Sequence, residues 1–355
     1  MITPGKSDAG QRRVANCGCA AEMRRVCDLC AGGGEMFVAC SLRCLERHLA
    51  RRHGDDDAAR TGTESRARRY LAGVNRRLAG SWQRYEDHRA RVMALALAAD
   101  AAPAAAGAGG EIVDLAILGA GNGSDLDLPG LAARFREIHL VDLDGEALER
   151  ARQDLPAAVR ARVIPHAPVD LSGFLPHLDQ WGESFPDDAT LGRAAHAAAR
   201  AMIAGLGRDF DVVLSTGVLS QLIVPYQRAW IMSGPNWQRL EAAIVAVHLA
   251  TLVGSTRPGG RAVMAFDVLS SKDTPALPSL AGRGPADLQA AVDQQVAAGN
   301  FILRPPPASL LEQLEFPGMA SMVQQPRLTA PWLWNLGDAV QLVYGLQFRR
   351  PVCAR

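Results

Sequence analysis

Apolar runs and helical patterns alternate along the chain from residue 111 onward. An apolar run at 112–118 is typical of a strand buried on both faces. Further strands are predicted at 137–142, 162–165, 210–215 and 260–267, with a final pair at 328–331 and 340–349. Because helical segments separate the first five strands, the pattern predicts an α/β fold with a doubly wound parallel sheet. A Pro-rich insert with helix-forming residues precedes the final pair.

A long helical pattern precedes this region. Apolar residues recur at three- and four-residue steps from Tyr70 to Val92, which predicts one helix from Glu64 to about Asp100. Arginines lie around the rest of the pattern, and a solvated face is favoured for them over an RNA-binding stripe. These arginines are Arg66, Arg68, Arg69, Arg76, Arg77, Arg84 and Arg89.

Composition divides the chain into four parts. We expect a disordered tail at 1–14, a cysteine-rich module at 15–54, a helical segment with an Ala- and Gly-rich linker at 55–108, and the α/β domain at 109–352. The chain has no run of 18 apolar residues, so no membrane-spanning helix is expected. The N-terminal residues show no secretory pattern, and a cytoplasmic location is expected.

The formal net charge of +1 hides an asymmetry along the chain. Residues 1–100 contain 18 Lys and Arg against 12 Asp and Glu, whereas the remainder contains 20 against 25. A mildly basic N-terminal part is compatible with an acidic partner. An excess of this size is nevertheless a weak electrostatic footprint for nucleic acid.

A glycine-rich loop at 119–123 directly follows the first strand of the α/β domain. Glycines at these positions let the backbone turn sharply and approach a ligand without an intervening side chain. The next strand ends in Asp142, where a carboxylate could accept both ribose hydroxyls of a nucleotide. Two alternatives stay open, since Asp142 could instead cap a helix and Asp144 could take the ribose role. The loop predicts nucleotide binding.

The spacing and charge of this loop discriminate between nucleotide cofactors. The glycines are spaced G-x-G-x-G, which differs from the dinucleotide fingerprint G-x-G-x-x-G. A helix is predicted to begin between Ser124 and Asp127, with Asp125 and Asp127 at its start. Two carboxylates there would repel a pyrophosphate but suit a ligand that carries an ammonium and a sulfonium. The loop therefore favours S-adenosylmethionine over NAD.

The domain resembles the class I (Rossmann-like) S-adenosylmethionine-dependent methyltransferases over residues 109–352. The family's glycine motif matches the 119–123 loop and its ribose acid matches Asp142, whereas Ile117 stands where the family commonly has an acid. The resemblance implies that Asp170 meets the adenine amine, although Asp170 could equally cap a turn. The expected cofactor site comprises Gly119, Ala120, Gly121, Gly123, Asp142, Leu143, Asp170, Leu171 and Ser215.

The methyl acceptor is less well defined by the sequence. The fourth strand runs into Ser215-Thr216-Gly217-Val218, without the Asn/Asp-Pro-Pro-aromatic run of family members that methylate exocyclic base amines. Transfer to a protonated nucleophile also needs a base, for which the candidates are His166, Tyr226 and Asp267. Four tryptophans either line an aromatic pocket or lie in the core. They are Trp230, Trp237, Trp332 and Trp334.

Three functional hypotheses follow for the whole chain. The leading one is a methyltransferase that acts on an O, N or S nucleophile of a peptide, a protein or a specialised small molecule. The second is an RNA methyltransferase that binds its substrate through the cysteine-rich zinc module at 15–54 and the Arg-rich helix, and it predicts binding that weakens steeply with salt. The third is a non-catalytic interaction protein with a degenerate cofactor fold.

Six of the seven cysteines cluster with two histidines near the N-terminus, which predicts two tetrahedral, structural zinc sites in a small treble-clef-like module. The segment 37–48 resembles HIT and MYND zinc fingers, whose cross-brace implies one site of Cys17, Cys19, Cys40 and Cys44. The other site would contain Cys27, Cys30, His48 and His53, unless His53 faces solvent. The resemblance implies that the module docks a protein or peptide.

Overall fold

The computed structural model describes residues 14–16, 25–26, 36–39, 63–98, 113–229, 235–298, 306–315 and 317–352. The chain separates into two compact units, Met1–Arg66 and Ala67–Arg355. In the first unit, strands β1 (Val14–Asn16), β2 (Arg25–Val26) and β3 (Met36–Ala39) form a sheet of order β1-β3-β2. The eight predicted zinc ligands lie outside the described residues, so the two zinc sites stay a prediction.

The prediction of one long helix before the α/β domain is wrong. The structure has two helices, α1 (Thr63–Leu78) and α2 (Glu86–Leu97), joined by a turn and a short 3-10 segment at Gln83–Tyr85. The break occurs at Gly80, whose φ of 81° is in the left-handed region that glycine adopts without steric cost. The spacing of apolar residues alone does not reveal so short an interruption.

The second unit is built on an eight-stranded mixed sheet. Its strands are β4 (Val113–Leu118), β5 (Phe135–Val141), β6 (Val163–His166), β7 (Phe210–Thr216), β8 (Thr256–Ser270), β9 (Gln324–Leu328), β10 (Trp332–Asn335) and β11 (Val340–Arg349). Their order is β10-β11-β8-β7-β4-β5-β6, with β9 paired to β11. Strands β4 to β8 are parallel, and β11 runs antiparallel to β8.

Helices cover both faces of this sheet. Those between β4 and β8 are α3 (Leu128–Ala132), α4 (Gly145–Gln153), α5 (Ala157–Arg160), α6 (Leu178–Glu183), α7 (Asp188–Leu206), α8 (Leu219–Ala229) and α9 (Pro235–Ser255). Alternate residues of β4 enter two different cores, Ala116 and Leu118 on one face and Leu115 and Ile117 on the other. The prediction of an α/β doubly wound sheet is confirmed.

The C-terminal part differs from the prediction in one strand. The insert after β8 carries α10 (Pro285–Ala297), α11 (Pro307–Leu314) and α12 (Pro317–Ala320). The strand predicted at 328–331 has the wrong bounds, because Leu328 is the last residue of β9 and residues 329–331 connect β9 to β10. Pro331 has no backbone N–H and cannot continue a ladder of hydrogen bonds. Among the described residues, no helix is both long and apolar enough to cross a membrane.

Candidate functional site

The strand order reverses between β4 and β7, since β4 leads to β5 on one side and lies beside β7 on the other. Ligands of open α/β sheets bind at such a point, beyond the carboxyl ends of the strands. The loop after β4 lies there, and Gly119, Gly121 and Gly123 have φ values of 76°, 49° and 66°. A Cβ at Gly119 would also overlap the Val218 side chain. Conformation and packing therefore both require glycine in this loop.

Asp142 is hydrogen-bonded to the backbone of the glycine loop. Its Oδ2 accepts the Gly121 N–H at 2.9 Å and its Oδ1 accepts the Asp144 N–H at 2.9 Å. Burial raises the pKa of Asp142, and these backbone donors oppose that rise. A carboxylate has about four lone-pair sites, so acceptor capacity for ribose hydroxyls is left.

The neighbouring Asp144 is the N-cap of α4. Its Oδ1 accepts the Ala147 N–H at 3.2 Å, and its Oδ2 accepts the Asn75 side-chain amide at 3.0 Å. The two alternatives that the sequence left open are thus separated by geometry. Asp144 has the capping role, and Asp142 contacts the glycine loop.

Carboxylates also surround the start of α3. Asp125 accepts the Thr216 hydroxyl at 2.7 Å, and burial raises the pKa of Asp125 to about 6. Asp127 caps α3, which begins one residue beyond the predicted window, and its Oδ1 accepts the Gly130 N–H at 3.0 Å. The side chain of Asp127 therefore stands where a pyrophosphate would meet the helix N-terminus.

Helix α1 covers the glycine loop, which the sequence did not indicate. The Asn75 carbonyl accepts the Asn122 side-chain amide at 2.5 Å, and the Asn75 amide reaches Asp144. A Cβ at Gly121 would lie 3.1 Å from Asn75 Oδ1. The signal available in the sequence was a polar Asn next to Val74, within the apolar pattern of this helix.

A small cavity of about 40 Å³ lies against the glycine loop. It is lined by Asn75, Leu78, Tyr85, Gly119, Ala120, Gly121, Asn122, Gly123, Ser124, Asp125, Thr216, Gly217, Gln221 and Trp334. Two buried donors in this lining, the Tyr85 hydroxyl and Trp334 Nε1, have no hydrogen bond of good geometry among the described residues, although the Ser81 side chain interacts with Tyr85 and lowers its pKa against the effect of burial. Their rings pack edge to face with centroids 5.1 Å apart. Unpaired buried donors are costly, so they mark a place where a ligand supplies acceptors.

Five predicted cofactor residues are not in this lining, and one of them is Asp142, whose contacts are given above. Ser215 is fully buried, and its hydroxyl lies 2.8 Å from His248 Nε2. Asp170 accepts the Leu175 N–H at 2.9 Å and the Ser172 N–H at 3.0 Å, so it has the turn-capping role. Leu171 is buried in the core, and Leu143 packs against that core.

A second, larger cavity of about 940 Å³ shares Leu78, Gly217, Gln221 and Trp334 with the first. Its lining comprises Tyr70, Val74, Arg77, Leu78, Arg84, Gly217, Ser220, Gln221, Asp267, Ser270, Lys272, Asp273, Trp334, Leu336, Gly337, Asp338 and Gln341. Asp267 is the one of the three candidate bases that lines it. The volume is within the range of small-molecule sites.

The other two candidate bases lie elsewhere. His166 Nε2 is 2.8 Å from His139 Nδ1, between β5 and β6. Tyr226 is 1% exposed, and its hydroxyl bonds to Ser172. The structure brings neither side chain to either cavity.

The four tryptophans have different environments. Trp334 lies at both cavities, whereas Trp332 donates its Nε1 hydrogen to His88 Nδ1 at 3.1 Å. Trp237 belongs to the core, and Trp230 lies outside the described residues. The described part of the chain contains no cluster of three His, Cys, Asp or Glu residues suited to a metal ion.

No protein-family model matches the chain, and no curated protein sequence matches it. Similar solved structures include an S-adenosylmethionine-dependent methyltransferase of Anabaena variabilis, 12% identical over 82% of this chain and 96% of its own (TM-score 0.40). An O-methyltransferase family protein of Burkholderia thailandensis is 14% identical over 86% of this chain and 64% of its own (TM-score 0.39).

A TehB-like methyltransferase of Corynebacterium glutamicum is 15% identical over 79% of this chain and 99% of its own (TM-score 0.35). Similarities this distant do not transfer an activity, which has to be argued from the residues of the site. At the level of the fold, the structural neighbours of this chain include many S-adenosylmethionine-dependent methyltransferases.

Proposed function

We propose that the chain is an S-adenosylmethionine-dependent methyltransferase whose donor binds at the glycine loop. The main support is the negative charge around this loop. Asp125 lines the cavity, and Asp127 caps the N-terminus of α3. A dinucleotide needs positive partial charge at this position for its pyrophosphate. The observed carboxylates instead favour a ligand with a cationic end.

The residues at the loop fit the chemical groups of S-adenosylmethionine. Asp142 would hold the ribose hydroxyls and Asp125 the cationic end, while the Tyr85 hydroxyl and Trp334 Nε1 would donate to its carboxylate. When bound, the donor supplies a sulfonium methyl for in-line transfer. A volume of about 40 Å³ is far below that of a ligand site, so binding would displace the Asn75 segment of α1.

The finer parts of the function are also proposals. The acceptor would be an O, N or S nucleophile of a peptide, a protein or a specialised small molecule. The cysteine-rich module, with two structural zinc ions, would aid acceptor recognition. Its eight ligands lie outside the described residues.

Titration calorimetry with S-adenosylmethionine, S-adenosylhomocysteine and NAD tests the donor assignment. We expect the first two to bind and NAD not to bind. Asp125→Asn should weaken S-adenosylmethionine binding by about 10- to 100-fold, because a hydrogen bond or contact to a charged group contributes roughly 1.5–3 kcal/mol.

Asp154→Asn is the matched control, since Asp154 is exposed at the C-terminus of α4. It removes the same charge and should leave the affinity unchanged. Preferential binding of NAD, or an Asp125→Asn variant with wild-type affinity, would contradict the proposal.

A further inference from the structure

The larger cavity is lined by a buried carboxylate, that of Asp267 on β8, which is 5% exposed. This carboxylate receives a hydrogen bond from the Ser220 side chain, and its Oδ1 has no hydrogen-bond partner among the described residues. The other two acids of the lining differ, since Asp338 pairs with Lys272 at 2.8 Å and Asp273 is exposed. Burying an unpaired acceptor is costly, so a ligand that donates to Oδ1 explains its presence.

The charges of the lining balance. Three cations, Arg77, Arg84 and Lys272, face the cavity together with the three acids. A neutral ligand suits such a lining better than a cation or an anion. Tyr70 and Trp334, with aliphatic side chains of α1, provide flat and apolar surface for a ring.

We propose that this cavity binds a neutral phenolic acceptor and that Asp267 is the catalytic base that removes its hydroxyl proton. The inference rests on the proposed methyltransferase function and names the substrate class for it. Proximity supports it, because Gly217, Gln221 and Trp334 line both this cavity and the one at the glycine loop.

The atoms and charges of this step balance. The phenol oxygen forms a bond to the methyl carbon, the carbon–sulfur bond breaks, and its electron pair stays on sulfur. The hydroxyl proton passes to Asp267 Oδ1 and then to solvent. The step neutralises the sulfonium cation of the donor and the carboxylate anion of Asp267, which is favourable in a buried, low-dielectric site.

The acidity of the groups also favours a phenol. Burial raises the pKa of Asp267 to about 6, against the hydrogen bond from Ser220 that lowers it. A phenolic hydroxyl has a pKa near 10, as in tyrosine. A buried carboxylate can therefore deprotonate it far more easily than it can deprotonate the hydroxyl of an aliphatic alcohol.

Three size-matched probes test the proposal: 4-methylphenol, benzyl alcohol and benzylamine, the last being cationic at neutral pH. Binding to the donor-free chain is measured through tryptophan fluorescence, and transfer through a labelled methyl group. We expect 4-methylphenol to bind and to be methylated. Its kcat/KM, measured at saturating S-adenosylmethionine so that titration of Asp125 does not contribute, should rise through pH 6 to a plateau. The alcohol and the amine should be methylated at least 100-fold more slowly.

The Asp267→Asn variant should bind 4-methylphenol but transfer the methyl group about 100- to 10,000-fold more slowly. Its kcat/KM should also lack the rise near pH 6, which we call the acid limb of the pH profile. Asp287→Asn, at an exposed position of α10, is the control and should match the unmodified chain. Ser220→Ala tests the same base without removing it. Loss of the hydrogen bond should raise the pKa of Asp267 and so move the acid limb to higher pH.

The inference is overturned if benzylamine is the preferred acceptor, if Asp267→Asn keeps the rate of the unmodified chain, or if the Ser220→Ala limb does not move. It is equally overturned if S-adenosylmethionine binds and none of the three probes is methylated. Absence of donor binding would instead refute the proposed function, so the two failures are distinguishable.

Discussion

Gly119 shows how one residue type is required for two reasons at once. Its φ of 76° is strained for any other residue, and an added Cβ would overlap Val218. Gly207, the C-cap of α7, has a similar φ of 70° but nothing within 4 Å of an added Cβ. The pair separates the cost of backbone conformation from the cost of overpacking.

We therefore expect Gly119→Ala to lower the free energy of unfolding more than Gly207→Ala. Both substitutions should cost about 1–2 kcal/mol for the left-handed conformation. Gly119→Ala should cost roughly 1–3 kcal/mol more, because the Val218 side chain must shift. Urea denaturation of both variants measures the difference. Equal losses would show that the contact with Val218 is relieved without cost.

At the scale of elements, α1 acts as a cover that is fastened by side chains. Asn75 links it to Asp144 at the start of α4 and to Asn122 in the glycine loop. Arg89 of α2 donates to the Ser124 carbonyl at 3.1 Å on the other side of the loop. The two helices that precede the α/β domain in sequence thus belong to the candidate site around its glycine loop.

Asn75→Ala should loosen this cover, because it removes a hydrogen bond to a carboxylate, a contact of about 1.5–3 kcal/mol. We expect faster amide hydrogen exchange in α1 and faster association of S-adenosylmethionine. Arg76→Ala, at an exposed position of the same helix, should change neither. Unchanged exchange in α1 of the Asn75→Ala variant would show that other contacts hold the helix.

At the scale of the whole molecule, the two ends of the parallel sheet have different tasks. The carboxyl ends carry the glycine loop and both cavities. The amino ends carry an ionic cluster in which the buried Asp114 accepts the Arg136 Nε hydrogen at 3.0 Å and also pairs with Arg208. The Asp114 N–H in turn donates to Asp211 Oδ2 at 2.7 Å.

Asp114→Asn should therefore destabilise the chain without affecting the ligand site. We expect a loss of about 1.5–3 kcal/mol in the free energy of unfolding, because the buried Asp114 side chain would lose its charge-assisted hydrogen bonds to Arg136 and Arg208. The affinity for S-adenosylmethionine should stay within about twofold. Asp209→Asn, which removes an exposed pair with Arg350 at the same end, should cost less than about 1 kcal/mol. An equal loss in both variants would contradict this division of tasks.

The elements of the α/β domain were predictable from the sequence because each has a strong local signal. Strand β11 has the predicted bounds, and β4 follows from one apolar run. The glycine loop was equally predictable, since left-handed conformations and close packing leave few alternatives to glycine. What failed locally, the long helix across Gly80 and the strand at 328–331, failed where a single Gly or Pro interrupts an otherwise apolar pattern.

The sequence by itself therefore determined most elements of the α/β domain, the doubly wound sheet and the place of the glycine loop. Only the tertiary structure decided which polar side chains face that loop. Asn75, Tyr85 and Trp334 come from distant parts of the chain, and their meeting depends on how helices and strands pack. The same packing separated Asp267, which lines a cavity, from His166 and Tyr226, which do not, because burial and partners are properties of the fold and not of a local pattern.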